Sequence, residues 1–371
     1  MAMKKILIVT SALITGGVEM CAINLAENLD ENKFIKEFCT EPGNVKKLEK
    51  RLCDNGIKVI SRSKSTKNIF KDYTEIKKII QQGDYDVIHS HVTFYSGIVM
   101  MAAKRCGVKK RVAHAHATKP AQRRKAYRRM MFRIYRIIMR KLINIYATDL
   151  IACGPEAGQF VFGKNSFERR GMLLNNGINL DKYNFDESVR NNARAELGID
   201  KDTVVFGHVG TINYVKNHSF LLEVFNIYQQ MNPNAKLLIV GDGDKRREIE
   251  DKARRLGISN KLIITGIRND VERMLMAMDI MVFPSFHEGL PLALVEAQAT
   301  KLPCLVSTAV TSSAKLNANL SYMSLEESPE TWMMEAQALL VIKRNDIDNS
   351  KVKEEYDIKS VAKKLENIYL N

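Results

Sequence analysis

The sequence has 371 residues, 45% of them apolar, and carries 57 Lys and Arg against 42 Asp and Glu, for a formal net charge of +15. This length favours two domains with real hydrophobic cores and excludes a disordered chain. The charge predicts a polyanionic partner: nucleic acid, an anionic membrane surface or a phosphorylated substrate. No apolar run approaches the roughly eighteen residues needed to cross a bilayer. The six cysteines form no CxxC pair, which fits a reducing cytoplasm.

The first half of the chain alternates short apolar runs with amphipathic segments. Ile6–Thr10 is predicted to be a strand rather than a signal peptide, because the run is short and lacks a cleavage site. Val18–Leu29 is predicted to be a helix. Strands that are apolar on both faces and separated by helices indicate a parallel sheet covered on both sides. The further predicted strands are Lys58–Ser61, Asp86–His89, Arg111–His114 and Tyr146–Cys153.

A turn-rich break at Asn175–Asn179 and the polar stretch after it mark a domain boundary. A second alternating series then begins with the strand Val204–Val209 and the helix His218–Met231. It continues to Pro303–Ser307, and a closing helix is predicted at Val352–Leu370. Two doubly wound domains in one chain favour a ligand cleft between the loops at the carboxyl ends of their strands.

Two glycine loops follow the first strands of the two domains. Gly16–Gly17 would let the backbone approach a phosphate or a sugar, although a plain tight turn is the alternative. Gly210 opens a loop that ends at Lys216, a residue that is either a solvated surface lysine or a cation for a diphosphate. After the next strand, Gly241–Asp242–Gly243 begins like a dinucleotide fingerprint. Because Arg246 occupies the third glycine position, the pattern argues against a dinucleotide cofactor.

Paired histidines end two strands of the first half. His89 and His91 form one pair, and His114 and His116 form the other. Alternation along a strand sends both members of a pair to one face of the sheet. The pairs could provide structural hydrogen bonds, substrate contacts or zinc ligands. No cysteine or carboxylate lies beside them in sequence to complete a site, so we expect no metal.

Residues 119–146 are predicted to form a basic amphipathic helix. One stripe is apolar and is explained by the core; a second apolar stripe needs another cover, which could be lipid. A basic helix of this kind suits an anionic membrane surface, whereas nucleic acid is not favoured because no recognition motif is present. The alternative is a solvated basic face with both apolar stripes buried. The stripe proposed for the membrane consists of Arg129, Arg133, Arg136 and Arg140.

Residues 283–297 combine a buried strand end, a loop and a helix start. Glu288 lies in the loop and Glu296 lies eight positions later inside a helix with Pro291 in its first turn. Eight residues at helical rise span about 12 Å. The N–H groups and dipole of the helix start between the two carboxylates suit a diphosphate. One segment could therefore hold the sugar, the phosphates and the ribose of a nucleotide-sugar.

With these motifs the chain resembles the family-4 retaining glycosyltransferases, and within them the bacterial exopolysaccharide and capsule transferases. The resemblance runs from the Gly16–Gly17 loop to the Glu288–x7–Glu296 block. It implies a GT-B fold: an N-terminal Rossmann-like acceptor domain at 1–180, a Rossmann-like nucleotide-sugar donor domain at 181–350, and a C-terminal helix at 351–371 that crosses back to the first domain. It also implies a sugar transfer without a cofactor or a metal.

The resemblance implies a role for each matching residue. Glu288 would contact hydroxyls of the donor sugar, Glu296 the ribose, and Lys216 the diphosphate. His116, or less favourably His114, corresponds to the active-site histidine of the family. The family gives no firm protein nucleophile, and front-side attack by the acceptor hydroxyl is expected. The remaining donor contacts would come from the glycine loops and the helix start: Gly16, Gly17, Gly210, Gly289, Leu290, Leu292 and Ala293.

One position departs from the family pattern. The family has an arginine directly after the glycine at 210, and this chain has Thr211. Loss of a charged hydrogen-bonding group at a phosphate costs on the order of 1.5–3 kcal/mol.

The leading expectation is a cytoplasmic transferase, peripheral at the inner face of the cell membrane, that moves a sugar from a UDP-sugar to a polyprenyl-linked saccharide. A GT-B nucleotide-sugar 2-epimerase and a non-catalytic membrane-associated GT-B subunit are the alternatives.

Overall fold

The computed structural model describes residues 3–14, 17–63, 68–116 and 126–371, with side chains in the last range described from Met130 onward. The chain folds into two compact units. Unit 1 comprises residues 1–178 together with 358–371, and unit 2 comprises residues 179–357.

Unit 1 contains a seven-stranded parallel sheet. Its strand order is β3-β2-β1-β4-β5-β6-β7, so the sheet grows outward from β1 in both directions. Leu7 and Val9 of β1 belong to the core on one face, and Ile6 and Ile8 to the core on the other face. A sheet buried on both faces requires such continuous apolar runs. The strands are β1 Lys4–Val9, β2 Phe34–Thr40, β3 Lys58–Ser61, β4 Val87–Ser90, β5 Lys110–Ala115, β6 Asp149–Ala152 and β7 Gly171–Leu173.

Helices cover both faces of this sheet. Two of them approach closely at Gly97, where an added Cβ would lie 2.8 Å from the carbonyl oxygen of Met139. Only glycine allows the two helix backbones to come so near. The helices of residues 17–170 are α1 Gly17–Glu27, α2 Lys46–Asp54, α3 Ile69–Gly83, α4 Ser96–Arg105, α5 Ala126–Tyr146, α6 Pro155–Phe162 and α7 Lys164–Arg170.

Unit 2 repeats the plan with a six-stranded parallel sheet. Its order, β10-β9-β8-β11-β12-β13, places β8 and β11 side by side at the point where the connection reverses direction. In sheets of this kind, ligands bind beyond the carboxyl ends of the strands at that point. The strands are β8 Val204–Val209, β9 Ala235–Val240, β10 Leu262–Ile264, β11 Ile280–Phe283, β12 Cys304–Ser307 and β13 Leu320–Met323.

The helices of unit 2 pack around a core that contains Phe206, Phe225 and the single tryptophan, Trp332. The helix after β8 has the predicted bounds, and the helix after β11 begins at Leu292 rather than in a turn that includes Pro291. The helices are α8 Glu187–Glu196, α9 His218–Met231, α10 Arg246–Arg255, α11 Val271–Ala277, α12 Leu292–Ala299, α13 Pro329–Leu339 and α14 Ser350–Tyr356.

The chain returns to unit 1 through its last helix, α15 Ile358–Leu370. The amide of Ile358 donates to the carbonyl of Ile178 at 2.9 Å, at the residue where the chain left unit 1. Val361, Leu365 and Tyr369 then enter the core beside α1. The segment predicted as a single closing helix is thus two helices, and the first of them belongs to unit 2.

Candidate active site

The loops of unit 2 that follow β8 and β11 meet at the switch point of its sheet. The amide of Phe286, after β11, donates to the carbonyl of Val215, in the loop after β8, at 2.8 Å. The rings of Tyr214 and Phe286 stack with centroids 5.0 Å apart, and both are exposed. The two loops therefore form one surface at the place where a doubly wound sheet binds its ligand.

Lys216 lies at the centre of this surface. A one-turn helix at Tyr214–Lys216 positions it, and the side chain of Asn213 accepts from the Lys216 amide at 3.2 Å. The Lys216 ammonium is 2.8 Å from Glu288 Oε1 and 4.3 Å from the centroid of the Phe283 ring. Both charged side chains are largely buried, with 13% and 21% of their surfaces exposed. The structure thus brings together two residues that lie far apart in sequence.

The glycines after β8 and β9 pack these two loops together. A Cβ at Gly241, whose φ is +145°, would lie 2.1 Å from the carbonyl oxygen of Gly210. Nearby, the Ile212 amide donates to the carbonyl of Asp242 at 3.0 Å. Arg246 forms ion pairs with Asp242 and Glu250. The Gly241–Asp242–Gly243 turn therefore supports the Gly210 loop by close backbone packing.

The start of α12 has no side-chain cap. Pro291 is the N-cap residue and cannot supply a hydrogen-bond acceptor from its side chain. Gly289, Leu290, Leu292 and Ala293 are all partly accessible around this end. Uncapped N–H groups with the positive end of the helix dipole form a suitable site for a phosphate.

Glu296 lies in the second turn of α12 and keeps only partial access to solvent. Burial raises the pKa of its carboxyl above the usual value; a hydrogen bond from Tyr183 lowers that pKa in part, and Glu272 raises it. Burial, with the neighbouring Glu296, likewise raises the pKa of the Tyr183 hydroxyl, which donates to that carboxylate. A desolvated carboxylate that already accepts one hydrogen bond can accept a second one from another hydroxyl. This is the role expected for a contact with the ribose.

All four histidines of unit 1 come together at the carboxyl ends of β4 and β5, and the members of each pair share a face as alternation predicts. We call His89, His91, His114 and His116 the four-histidine cluster. His91 Nδ1 is 2.9 Å from His116 Nε2, and His114 Nδ1 is 3.2 Å from His89 Nε2. Burial lowers the pKa of all four rings, to about 3 for His89 and about 4 for His116. The four rings are therefore neutral at physiological pH. A neutral His116 has one unprotonated ring nitrogen, so it is a candidate proton acceptor.

The glycine loop predicted in unit 1 is described only in part. Gly16 lies outside the described residues, and Gly17 begins α1 with no described atom near its missing side chain. The N-terminal turn of α1 is fixed by Ser11, whose hydroxyl donates to Glu19 Oε1 at 2.6 Å. The interpretation of the Gly16–Gly17 loop as a donor contact stays a prediction.

The arginine stripe predicted for the membrane is divided in the structure. The side chain of Arg129 lies outside the described part, as do residues 119–125, and Arg133 is exposed. Arg136 instead places its guanidinium 4.5 Å from the centroid of the Phe160 ring, and Arg140 donates to the Phe160 carbonyl at 2.6 Å. Because Arg136 and Arg140 bind α6 within unit 1, the structure leaves Arg133 as the exposed arginine among the three whose side chains it describes, and the membrane role of the stripe stays a prediction.

Family comparisons cover almost the whole chain. Residues 15–182 match the family described as Glycosyltransferase Family 4, and residues 189–360 match Glycosyl transferases group 1. The chain is 31% identical to the protein of Bacillus subtilis (strain 168) named as glycosyltransferase EpsF, over 99% of this chain and 96% of that one. The chain belongs to the family-4 glycosyltransferases.

Two further relatives and one solved structure resemble this glycosyltransferase over most of its length. The capsular polysaccharide biosynthesis glycosyltransferase CapH of Staphylococcus aureus is 24% identical and aligns with 100% of the chain and 99% of its own length. The UDP-Gal:alpha-D-GlcNAc-diphosphoundecaprenol alpha-1,3-galactosyltransferase of Escherichia coli is 25% identical over 79% of this chain and 76% of its own. The crystal structure of Anabaena Alr3699/HepE in complex with UDP superposes with a TM-score of 0.79 over 98% of both chains at 18% identity. The two parallel-sheet units and this likeness confirm the GT-B fold.

Sequence reasoning missed several residues that contribute to these sites in the glycosyltransferase. Tyr183 fell within the polar stretch after the predicted domain boundary, although it binds Glu296. The hydroxyl of Tyr369, in the last helix, forms a hydrogen bond of 2.6 Å with His89 Nδ1. The Cys153 thiol is 3.9 Å from the carbonyl oxygen of His116. Each of these residues acts through a contact with a segment that is distant in sequence. Local sequence patterns do not show such contacts.

Proposed function

We propose that this glycosyltransferase moves a sugar from a UDP-sugar to a lipid-linked saccharide in surface polysaccharide biosynthesis. It would retain the anomeric configuration and use no divalent cation at the diphosphate. The observation that carries the proposal is the ion pair of Lys216 and Glu288 at the switch point of unit 2, beside the uncapped start of α12.

The ion pair suits the electrostatic demand of the reaction. Breaking the bond between sugar and phosphate leaves negative charge on the departing diphosphate, and preorganised cations and N–H groups stabilise that charge. Glu288 and the Phe283 ring hold the Lys216 ammonium in place before any donor binds. An ammonium has three donors, so Lys216 can keep Glu288 and still bind a phosphate. The second carboxylate oxygen of Glu288 would accept from a sugar hydroxyl.

The names of similar proteins support the choice of donor and pathway. The Escherichia coli relative is named for UDP-Gal and for a diphosphoundecaprenol acceptor, and the Staphylococcus aureus relative for capsular polysaccharide biosynthesis. The similar Anabaena structure holds UDP. From these we infer a uridine donor and an acceptor on a polyprenyl lipid for this chain.

A lipid-linked acceptor requires the enzyme to work at a membrane surface, and the outer face of α5 supports this. Phe132, Tyr135, Met139 and Ile143 pack toward the protein, so one apolar stripe is explained by unit 1. In the described parts of the chain, no helix is both long enough and apolar enough to span a bilayer. We therefore propose peripheral binding to the inner leaflet. The side chains available for it are exposed apolar residues with two exposed cations: Met130, Met131, Ile134, Ile137, Ile138, Ile145, Arg133 and Lys141.

Calorimetry with UDP and GDP tests the donor site. We expect UDP to bind in the presence of a chelator and Lys216→Ala to weaken that binding tenfold or more, because a charged hydrogen bond to phosphate is lost. We also expect the kcat of Lys216→Ala to fall by about 10²–10³-fold, because the loss of one preorganised hydrogen-bond donor has an effect of this size. The matched control is Lys245→Ala, which removes an exposed ion pair with Glu248 in the same unit. Binding of neither nucleotide to the wild type would contradict the proposal and support a non-catalytic subunit.

Product analysis distinguishes transfer from epimerisation. We expect free UDP to accumulate only when a polyprenyl-diphosphate saccharide is present and the sugar to appear on that lipid as the α-anomer when an α-linked donor is supplied. Conversion of the nucleotide-sugar without an acceptor would instead identify a 2-epimerase.

A further inference from the structure

The four-histidine cluster has hydrogen-bonding capacity that its own contacts do not use. His114 Nε2 and His116 Nδ1 are both buried and have no hydrogen-bond partner within the part of the chain that the structure describes. An unsatisfied buried polar nitrogen is unfavourable, and native proteins rarely leave one without a partner, an ordered water or an ion. The four-histidine cluster is therefore not saturated by hydrogen bonds among its own rings.

The geometry of the cluster is that of a metal site. His89, His91 and His114 each offer one ring nitrogen, and these three atoms lie within 4.8 Å of one another. His89 Nε2 and His114 Nδ1 are separated by 3.2 Å. Two nitrogens bound to one tetrahedral zinc at 2.0–2.1 Å would be about 3.3 Å apart. Small rotations of the three rings would therefore close them around one ion.

Two of the three candidate ligands are already oriented from behind. His89 Nδ1 is 2.6 Å from the Tyr369 hydroxyl, and His91 Nδ1 is 2.9 Å from His116 Nε2. A histidine that binds a metal with one nitrogen usually uses the other in a hydrogen bond that fixes its orientation. These contacts leave the Nε2 atoms of His89 and His91 for the metal.

The donor set selects the kind of ion. Imidazole nitrogens are borderline-soft ligands that suit zinc, whereas magnesium and calcium prefer oxygen. The sequence alone did not show a site, because the fold is needed to bring the two histidine pairs together.

We propose that His89, His91 and His114 bind one zinc ion in unit 1, with Tyr369 and His116 as the hydrogen-bond partners that orient two of the ligands. The ion would tie β4 and β5 to α15 and fix the ring of His116. This inference does not rest on the proposed function: it concerns unit 1 alone, whereas the diphosphate is assigned to Lys216 and α12 of unit 2.

The test is the metal content of the full-length chain without an affinity tag. After equilibration with excess zinc and gel filtration, we expect about one zinc per chain by elemental analysis. His91→Ala and His114→Ala should each reduce this to less than about a tenth. His287→Ala removes an exposed histidine and His218→Ala a buried one outside the cluster, so both should retain the zinc. Wild-type protein with less than a tenth of an equivalent would overturn the proposal, as would unchanged zinc in His114→Ala.

A second measurement keeps the proposal testable if an alanine variant does not fold. Cobalt added to the wild-type chain should give the intense visible absorption of a tetrahedral nitrogen site, and zinc should displace it. Weak octahedral bands, or bands that His287→Ala abolishes, would place the ion elsewhere and overturn the assignment. Neither measurement depends on transferase activity, so a failure here leaves the donor-site proposal standing.

Discussion

Thr211 is the residue at which this chain departs most clearly from its family. It is exposed and directly follows Gly210, in the loop that carries Lys216. The structure offers Lys216 as the cation that pairs with Glu288 at this surface, and an exposed threonine adds no positive charge beside it. We infer that the diphosphate is held by one side-chain cation together with the start of α12.

Thr211→Arg should therefore tighten the binding of UDP by about tenfold, because a guanidinium adds a charged hydrogen bond to phosphate. Calorimetry measures the change. Thr211→Met has a long side chain without charge and serves as the control, for which we expect wild-type affinity. If the arginine variant binds UDP no better than the methionine variant, the loop does not face the phosphates.

The ribose contact proposed for Glu296 would come with a cost in stability. Because burial raises the pKa of its carboxyl above 4.5 in the folded chain, the protonated form favours folding. That contribution is complete below the unfolded pKa and is lost as the pH rises through the folded pKa. Above the unfolded pKa, desolvation in the folded chain therefore penalises the ionised form of this carboxyl.

Glu296→Gln should raise the thermal midpoint at pH 7.5, and the gain should shrink toward zero as the pH falls to about 4.5. The same change should weaken UDP binding about tenfold, because a neutral amide accepts less strongly from the ribose. Calorimetric melts and UDP titrations across this pH range measure both effects. Glu326→Gln, at an exposed position of the same unit, should change neither. A lower midpoint at pH 7.5 would show that the carboxylate stabilises the fold.

At the scale of elements, periodicity predicted most of the strands and helices and failed where polar residues are buried. The strand β2 was missed because its sequence contains Lys36 and Glu37 among apolar residues. In the structure Glu37 accepts from the Tyr85 hydroxyl at 2.5 Å and lies 3.1 Å from the Lys5 ammonium. Partners from two other segments satisfy this carboxylate, and no local pattern can supply them.

The helix α5 shows the same limit in another form. Its sequence predicted two apolar stripes and a basic one, but periodicity could not tell which stripe faces the core. The structure turns Arg136 and Arg140 inward to α6 and leaves Met131, Ile134 and Ile138 exposed. The surface that we propose for the membrane therefore keeps Arg133 from the stripe chosen by sequence and replaces Arg136 and Arg140 with exposed apolar residues and Lys141.

Reversing the two exposed cations of α5 tests this surface. The double variant Arg133→Glu/Lys141→Glu should bind vesicles of anionic lipid at least tenfold more weakly, since each cation near such a surface contributes about 1 kcal/mol. Vesicle sedimentation measures the binding. Lys46→Glu/Lys47→Glu makes the same change of charge on exposed residues of α2 and should bind normally. Equal loss in both variants would indicate a general charge effect rather than a binding face.

Arg140→Glu should behave differently from the surface variant. The Arg140 guanidinium donates to the carbonyls of Phe160 and Val161 at the end of α6, and burial lowers its pKa. A carboxylate there loses both bonds and meets the negative end of the helix dipole. We expect the thermal midpoint of unit 1 to fall by several degrees, equivalent to about 2–3 kcal/mol. An unchanged midpoint in calorimetry would show that the contacts of Arg140 with α6 do not stabilise unit 1.

At the scale of the whole molecule, the two-domain plan followed from the sequence because each domain repeats strands that are apolar on both faces, whereas the GT-B fold came from the resemblance of its motifs to the family. The path of the chain end was harder to place. The last helix was expected to start near residue 351, whereas the return to unit 1 begins at Ile358, after α14 has packed on α12 of unit 2. Both segments are amphipathic, so they can be told apart only by the core that each one packs against in the folded chain.

Truncation after Asp357 should unfold unit 1 and leave unit 2 intact. Ile358, Val361, Leu365 and Tyr369 are almost completely buried in unit 1. Four such side chains contribute about 6–12 kcal/mol of burial, which is comparable with the whole stability of a domain at about 5–15 kcal/mol. Differential scanning calorimetry should therefore lose one transition, and UDP should still stabilise the transition that remains, because Lys216, Glu288 and α12 lie within 179–357. Removal of Asn371 alone, an exposed residue, is the control and should leave both transitions in place. If the longer truncation also leaves both transitions unchanged, the returning helix is not part of the folding unit that the first 178 residues form.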